Sequence, residues 1–351
     1  MTHTFKQIGG IDVYTSSPAE HNISGETYLS RLRQVAQWSD RHGCRGMLIY
    51  TDNRSIDPWV MAQDVISHTE TLSPLIAVQP VYMHPYAAAQ KIAALARVYG
   101  RSVDLNFVAG GFQFDLNALD DRVPHDARYE RLSEYGLIVK RLLAGERVSI
   151  QGDHYRVFGL KLEWKTESSL LPRITVSGSS PAGLKCAEAL HATAVTYPKP
   201  IGASQAPDGT DAGQSCNGLA TGIRIGILAR ETRDEAWQQA MAWFPEDTRG
   251  QSVRKAAAQT TDSSWLHQLS TLSDNHYSIG KDIYWMGPFA SAKSFCPYLV
   301  GSYDEVAAYL SLYLRGGVRL IILDCPREEA DLVSARIVIR KALAANLCAA
   351  G

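Results

Sequence analysis

Eight short apolar runs, most of them followed by a segment with helical periodicity, constrain this 351-residue chain more than any other feature. Each run has the length and the Val, Ile and Leu content of a buried strand, and such alternation predicts parallel βαβ units. The number of strands and the length favour an α/β fold of the (β/α)8 TIM-barrel type, in a single domain over residues 1–351. An open doubly wound sheet is disfavoured, because no G-x-G-x-x-G follows the first strand. The predicted strands are residues 8–14, 46–50, 74–79, 103–111, 173–177, 192–197, 223–229 and 318–323.

Three segments interrupt this alternation. Residues 146–164 have the pattern of a β-hairpin. Residues 199–222 are rich in Gly, Ser, Ala and Pro, which predicts an irregular loop. Residues 245–299 are poorly patterned and rich in aromatic side chains. That segment is too long for a simple connection, so we expect a functional insertion or lid.

Composition narrows the class of partner. The formal net charge is −1 and no basic run occurs, which argues against a nucleic-acid or anionic-membrane partner. No apolar stretch approaches the length that spans a bilayer, and the first residues lack the apolar core of a signal peptide. The six cysteines are scattered, without a Cys/His cluster. We therefore expect a cytoplasmic protein without a metal site.

The fourth predicted strand carries one polar residue, Asn106, and ends in Ala109, Gly110 and Gly111. A buried amide is costly unless it is hydrogen-bonded, and glycines at a strand end let a ligand approach the backbone. TIM-barrel enzymes place their chemistry at the carboxyl ends of the strands. This strand end therefore either faces a ligand or contains a satisfied core asparagine followed by a plain turn.

Two predicted helix starts could bind an anion. Asp126 is a natural N-cap, which would place His125 and Tyr129 near helix amides whose dipoles favour negative charge. After the fifth strand, Ser180 as N-cap and Pro181 at the first helical position form a helix start suited to a phosphate. Ordinary capping is the better explanation at Asp126 when taken alone, and it explains the start at Ser180 about as well as a phosphate site does.

Arg224 lies between two isoleucines in the seventh predicted strand. A guanidinium in a buried strand needs an anion or several acceptors, and the sequence offers no obvious partner. A ligand partner is one interpretation, and a surface arginine at a sheet edge is the other. The chain also lacks a nucleophile elbow, a paired-carboxylate site and a P-loop. Such sparse acids and bases are typical of an enzyme whose cofactor performs the chemistry.

Several motifs, in order along most of the chain, resemble those of the bacterial luciferase-like flavin monooxygenases. The similarity is closest to the alkanesulfonate monooxygenase branch, which the end of the hairpin over residues 157–162 supports. The motifs are Asn106-Phe-Val-Ala-Gly-Gly, His125-x-x-Arg128-Tyr129-x-Arg131, Ser177-Gly-Ser-Ser-Pro-Ala-Gly, residues 222–237 and residues 297–302.

The resemblance implies a barrel that binds reduced FMN supplied by a separate NAD(P)H flavin reductase. O2 would add to the flavin, and the resulting peroxyflavin would oxygenate a small organic substrate, either an alkanesulfonate or a secondary metabolite. The segment 245–299 would include a lid that excludes water. The family often forms homodimers. The cofactor-binding residues implied are Gln79, Asn106, Ala109, Gly110, His125, Tyr129, Ser177, Gly178, Ser179 and Ser180, and the catalytic residues implied are Arg224, Ser55 and His21.

The chain departs from the alkanesulfonate enzymes on the substrate side. Ser55 stands where those enzymes carry a cysteine, and Gly226 stands where they carry a histidine. A tailoring oxygenase in biosynthesis, acting by hydroxylation or Baeyer–Villiger insertion, fits such a pocket equally well. Two other hypotheses remain: an F420-dependent oxidoreductase on the same barrel, and a flavin-binding protein that has lost catalysis.

Overall fold

The computed structural model describes residues 10–19, 23–202, 218–259, 261, 263–275 and 282–350. These residues pack as two compact units, the first from 17–40 and 45–194 and the second from 10–16, 41–44 and 195–350. The elements up to residue 196 are β1 (Asp12–Ser16), α1 (Gly25–Arg41), β2 (Gly46–Ile49), α2 (Pro58–Ser67), β3 (Ser73–Val78), α3 (Pro85–Tyr99), β4 (Asp104–Val108), α4 (Gln113–Ala118), α5 (His125–Leu143), β5 (Val148–Gln151), β6 (Arg156–Leu160), β7 (Ile174–Ser177), α6 (Pro181–Ala189) and β8 (Thr193–Thr196). The later elements are β9 (Thr221–Arg230), α7 (Arg233–Trp243), α8 (Thr248–Gln259), α9 (Ser264–Asn275), β10 (Tyr284–Trp285), α10 (Gly287–Ala290), β11 (Tyr298–Ser302), α11 (Tyr303–Arg315), β12 (Val318–Leu323) and α12 (Glu329–Ala350).

Parallel strands alternate with helices in both units. In the first unit β2, β3, β4 and β7 pair in parallel in that order. In the second, β1 pairs with β12, β12 with β9 and β9 with β11, all in parallel. The fold class is therefore α/β of the (β/α)8 TIM-barrel type, as the sequence predicts, with β1, β2, β3, β4, β7, β8, β9 and β12 as its eight barrel strands.

The burial of the strands explains why their apolar runs could be recognised in the sequence. Every residue of β2 and β3 is buried, so both strands are apolar on both faces, as parallel strands covered by helices require. The helices carry local stop and start signals as well. In α3, Pro85 occupies the first turn and Gly100 ends the helix in the left-handed conformation with φ 62°.

The predictions for the segments that interrupt the alternation of strands and helices are confirmed only in part. The predicted hairpin is confirmed, because β5 and β6 pair antiparallel. The short helix α4, directly after the glycines of β4, was not predicted. Most of the predicted loop 199–222 lies outside the described residues, and β9 begins within it at Thr221.

The predicted lid contains α8, α9, β10 and α10, and part of it is core. Trp285 is 2% exposed and contacts Trp237 edge to face, with ring centroids 5.2 Å apart. Phe244 meets Tyr298 in the same way at 5.0 Å. Trp285 and Tyr298 of this segment thus belong to a hydrophobic cluster that also includes residues of α7 and β11. No helix among the described residues combines the length and apolar character needed to cross a membrane.

A buried ion pair joins the amino-terminal ends of the first unit's strands. Arg45 Nε donates to Asp104 Oδ2 at 3.1 Å, and both side chains are at most 2% exposed. The backbone N–H of Arg173, just before β7, donates to Asp104 Oδ1 at 2.9 Å. Asp104 therefore ties β4 to its surroundings at the end of the strands where TIM barrels keep stability rather than chemistry.

We expect Asp104→Asn to lower the free energy of unfolding by about 3–5 kcal/mol, because it leaves the Arg45 guanidinium buried without a countercharge. Chemical denaturation measures the change. Asp120→Asn is the control, since Asp120 pairs with Arg122 at the surface, with both side chains at least 80% exposed. A loss no larger than in the control would contradict a structural role for the buried pair.

Candidate active site

Asn106, on β4, is held by two hydroxyl groups of β7. Thr175 Oγ1 and Ser177 Oγ both donate to Asn106 Oδ1, at 2.8 and 2.9 Å. The parallel register places Asn106 beside Thr175, so these bonds follow from strand pairing. Asn106 is 4% exposed as a residue. Its side-chain amide nitrogen makes no hydrogen bond to any described residue. One half of this buried amide is therefore satisfied, and the other half is a donor available to a ligand.

The glycine after β4 allows Gln79, at the end of β3, to pack against the chain. Gly110 has φ 96°, and a Cβ there would lie 2.9 Å from both Gln79 Nε2 and Leu116 Cδ2. Only glycine fits that conformation and that space. Gln79 and Ala109 are both buried, so the structure brings the predicted residues Gln79, Ala109 and Gly110 together.

The start of α5 corrects one prediction. Asp126 is not the N-cap: the helix begins at His125, after Pro124, whose ring fixes a φ of −58° suited to the entry. Asp126 instead lies in the first turn, where a carboxylate is favoured by the helix dipole, and its Oδ1 is 2.7 Å from His125 Nδ1. His125 and Tyr129 are one turn apart, with ring centroids 5.3 Å apart.

Tyr129 connects α5 to the loop after β7. Its hydroxyl donates to the carbonyl of Ser177 at 3.3 Å. Gly178 has no room for a side chain, because a Cβ would overlap the Tyr129 hydroxyl, and Gly183 contacts the same ring. The predicted start of α6 is confirmed: Ser180 Oγ accepts from the N–H of Gly183 at 3.2 Å, and Pro181 follows at the first helical position.

The ten predicted cofactor residues therefore lie at adjoining positions of the first unit, at the carboxyl ends of β3, β4 and β7 and the starts of α5 and α6. We call Gln79, Asn106, Ala109, Gly110, His125, Tyr129 and residues 177–180 the strand-end cluster. Ser55 lies in the loop after β2, where its N–H donates to Asp52 Oδ1 at 2.6 Å. His21 lies outside the described residues.

Arg224, in the second unit, has partners within the chain, so the expectation of no obvious partner was wrong. Its Nη1 donates to Tyr197 Oη at 3.4 Å, and its Nη2 lies 3.7 Å from Asp324 Oδ1. The guanidinium also lies 6.0 Å from the ring centroid of Tyr197 and 5.8 Å from that of Phe295. Burial raises the pKa of Tyr197, and Arg224 opposes that shift.

Asp324, directly after β12, organises the groups around Arg224. Its Oδ2 accepts from Ser294 Oγ at 2.7 Å and from Tyr298 Oη at 2.8 Å. Burial and the neighbouring Asp324 hold the pKa of Tyr298 well above its usual value, so the phenol stays protonated and donates. We call Arg224, Tyr197, Ser294, Tyr298 and Asp324 the Arg224 network. Sequence reasoning missed Asp324, although its place directly after a strand was a usable signal.

Comparison with known proteins identifies the family. The model of the luciferase-like monooxygenase family matches residues 11–320. The chain belongs to the luciferase-like monooxygenase family. A curated relative, the 4-(gamma-L-glutamylamino)butanoyl-[BtrI acyl-carrier protein] monooxygenase BtrO of Niallia circulans, is 31% identical over 92% of this chain and 94% of its own. The chain is accordingly a flavin-dependent monooxygenase, and the finer resemblance to the alkanesulfonate branch stays a prediction.

Two solved structures share the fold. The FMN complex of the oxygenating constituent of 3,6-diketocamphane monooxygenase, from Pseudomonas putida, is 14% identical, with a TM-score of 0.65 over 95% of this chain and 98% of its own. An F420-dependent secondary alcohol dehydrogenase is 15% identical, with a TM-score of 0.62 over 95% and 99%. At such identities the likeness concerns the fold alone, and flavin and deazaflavin proteins both have it.

The packing of Tyr298 explains why a side chain does not fit at Gly226. A Cβ at Gly226 would overlap the ring of Tyr298, which occupies the space beside β9. Gly226, which the sequence resemblance places where the alkanesulfonate enzymes carry a histidine, leaves room for the ring of Tyr298 from β11. The two residues form one unit, and Tyr298 brings a hydroxyl donor to Asp324.

Arg254, on α8, is a second buried arginine that sequence reasoning missed. Its guanidinium stacks on Phe289 at 4.2 Å and lies 5.5 Å from the ring of Phe295, whose ring Arg224 also approaches. Arg254 donates to the carbonyls of Phe289 and Ser294, each at 3.0 Å. Burial lowers the pKa of Arg254 to about 10, so it remains charged at neutral pH. It fixes the segment that carries Ser294.

We expect Gly226→Ala to destabilise the protein by about 1–3 kcal/mol, because the added methyl group forces the Tyr298 ring off its bond to Asp324. Thermal or denaturant unfolding measures the loss. Adding Tyr298→Leu should recover part of it, so that the double variant loses less than the sum of the single changes. Strict additivity would show that the two residues do not share one space.

Proposed function

We propose that this chain is the oxygenating component of a two-component monooxygenase, with reduced FMN supplied by a separate NAD(P)H flavin reductase and O2 as co-substrate. Family membership supports the reaction class. The observation that carries the cofactor assignment is the amide of Asn106, whose oxygen is fixed by Thr175 and Ser177 while its nitrogen has no described partner. Such a fixed donor at a strand end suits the polar edge of a flavin.

The strand-end cluster fits FMN in other respects. Gly110 and Gly178 keep the backbone free of side chains beside Gln79 and Tyr129. The start of α6, with Ser179 and Ser180, offers hydroxyl groups and helix amides for a phosphate. His125 and Tyr129 would line the ribityl chain. When bound, reduced flavin supplies the electrons that activate O2.

The remaining proposed roles belong to residues that approach the substrate. Arg224 would place positive charge beside the reacting centre, and its contacts with Asp324 and Tyr197 would fix its direction. Ser55 and His21 are the other two catalytic residues that the family resemblance implies. The segment 245–299 would exclude water, and Arg254 holds part of it in place.

The substrate proposed is a secondary metabolite, with an alkanesulfonate as the alternative. The curated relative is named for an acyl group on an acyl-carrier protein, which supports biosynthetic chemistry of this kind. We also expect the Gly226–Tyr298 unit to alter the pocket on the substrate side, because Tyr298 occupies the space that a side chain at Gly226 would need. A small-molecule substrate, a homodimer, a single domain and a cytoplasmic location remain part of the proposal.

The phosphate assignment predicts a difference between FMN and riboflavin. The protein should bind FMN more tightly than riboflavin, and Ser180→Ala should reduce that preference by about tenfold through loss of a charge-assisted hydrogen bond. Fluorescence titration of both flavins measures the two affinities. Ser180 also caps α6, so part of its effect is on stability, about 1 kcal/mol.

Ser302→Ala is the matched control, because Ser302 caps α11 with a hydroxyl that accepts from the N–H of Glu305. It should cost similar stability and leave both flavin affinities unchanged. If Ser180→Ala weakened FMN and riboflavin equally, the phosphate would bind elsewhere.

F420 is the second candidate cofactor, since a solved structure with the same fold is an F420-dependent dehydrogenase. Anaerobic titrations with reduced FMN and with reduced F420 decide between them, and we expect reduced FMN to bind more tightly. Preference for reduced F420 would assign the barrel to hydride transfer without oxygen. If neither reduced FMN nor reduced F420 bound, the result would favour the hypothesis of a protein that has lost flavin catalysis.

A further inference from the structure

A buried carboxylate on α4 has no role in the fold or in the strand-end cluster. Asp115 is 6% exposed, and its buried Oδ1 makes no hydrogen bond to any described residue. The other buried aspartates at β4 and before α5 are paired: Asp104 with Arg45, and Asp121 with Arg131 at 2.6 Å. A buried carboxylate oxygen without a donor is costly, so Asp115 needs an explanation.

Asp115 packs against the loop after β2. Burial raises the pKa of its carboxyl group most, Asp52 raises it further, and Arg54 and the backbone amide of Asn53 lower it. The side-chain amide of Asn53 donates to the carbonyl of Asp115 at 3.1 Å, which fixes α4 against this loop.

Tyr82, after β3, completes the group. Its hydroxyl donates to Asn53 Oδ1 at 2.7 Å, which leaves the lone pairs of the phenol oxygen free to accept. Burial, Asp115 and Asp52 raise the pKa of Tyr82 to about 12, so this proton stays in place at neutral pH. Hydrogen bonds of the Asn53 side chain thus join the Tyr82 hydroxyl to the backbone of Asp115, and Asp52 precedes Asn53 in the chain.

The chain's own cations do not neutralise Asp115. Arg54 lies near enough to lower the pKa of the carboxyl group, but no ion pair within 4 Å joins the two among the described residues. Arg54 is exposed, and its backbone N–H is held by Asp52 Oδ1 at 2.7 Å. A metal ion is not indicated, because no group of three or more metal-binding side chains occurs in the described part of the chain.

The position of Asp115 is that of a substrate contact. Asp52 follows β2, Tyr82 follows β3 and α4 follows β4, so all three lie at strand ends of the catalytic face. Leu116, the next residue, packs against Gly110 of the strand-end cluster. A ligand group at Asp115 would therefore be bound to the same unit as the proposed flavin.

We propose that Asp115, with Asp52 and the Tyr82 hydroxyl oxygen, binds an ammonium group of the substrate. A primary ammonium has three N–H donors, and this site has three acceptors of matching chemistry. The inference rests on the proposed function, because it names the substrate class of that oxygenase: a molecule with a protonated amine.

The test uses n-butylammonium, with butan-1-ol and butyrate as neutral and anionic analogues, titrated against the full-length protein at neutral pH. Ligand-observed NMR gives the three affinities without flavin or turnover. We expect n-butylammonium to bind at least about tenfold more tightly than butan-1-ol, as a charge-assisted contact provides, and butyrate to bind least. Asp115→Asn should remove most of this preference.

Asp120→Asn is the matched control: Asp120 lies five residues away on the exposed surface, and its φ of 53° is one that asparagine tolerates. It should leave all three affinities unchanged. Equal affinity for the amine and the alcohol, absence of amine binding, or the same loss in both variants would overturn the proposal.

The stability of Asp115→Asn towards denaturant provides a second, independent test of the ammonium site. Asp115→Asn should unfold at the same or a higher denaturant concentration, because it removes a buried charge without a partner. A loss comparable to that of Asp104→Asn would make Asp115 a structural carboxylate and overturn the site. Flavin affinity, measured separately, should be unchanged in Asp115→Asn, so a failure of the amine site is distinguishable from a failure of the proposed cofactor.

Discussion

The hydrogen bonds from Thr175 and Ser177 to the Asn106 amide are the interaction on which the first unit's site depends. They fix the end of β7 beside β4, and the carbonyl of Ser177 then receives the Tyr129 hydroxyl. Because Tyr129 lies against the backbone of Gly178, one buried amide is linked to the ends of β4 and β7, to the start of α5 and to the loop after β7. A buried polar group is costly when unpaired, and here that cost makes the arrangement specific.

In the Arg224 network, buried charged groups are likewise paired, because an unpaired buried charge is costly. Asp324 accepts two hydroxyl donors on one oxygen and faces Arg224 with the other. Removing any one partner would leave the others buried and unsatisfied, so the network is a cooperative unit. The first unit thus presents neutral donors and glycine backbone, which suits a cofactor, and the second presents an oriented cation.

The fold could be predicted because a buried strand is a short continuous run of mostly apolar residues, and β2, β3 and β4 are recognisable as such runs. The sequence also predicted Ser180 as a cap, since capping depends on residues three positions apart. The place of Asp324 directly after a strand marked it as a candidate site residue, but its pairing with Arg224 was harder to predict, because the two are one hundred positions apart and the pairing of β9 with β12 brings them close. The predicted cap at Asp126 was wrong for a local reason, namely that Pro124 occupies the cap position two residues earlier.

The departure from the alkanesulfonate pattern predicted at Gly226 involves Tyr298 as well. The absence of a side chain at Gly226 leaves room for the Tyr298 ring, whose hydroxyl donates to Asp324. A protein that had merely lost catalysis would have no reason to keep a buried arginine, a carboxylate and a phenol in one network, since each is costly to bury. The network therefore orients Arg224, and we expect its neighbours to determine what can approach it.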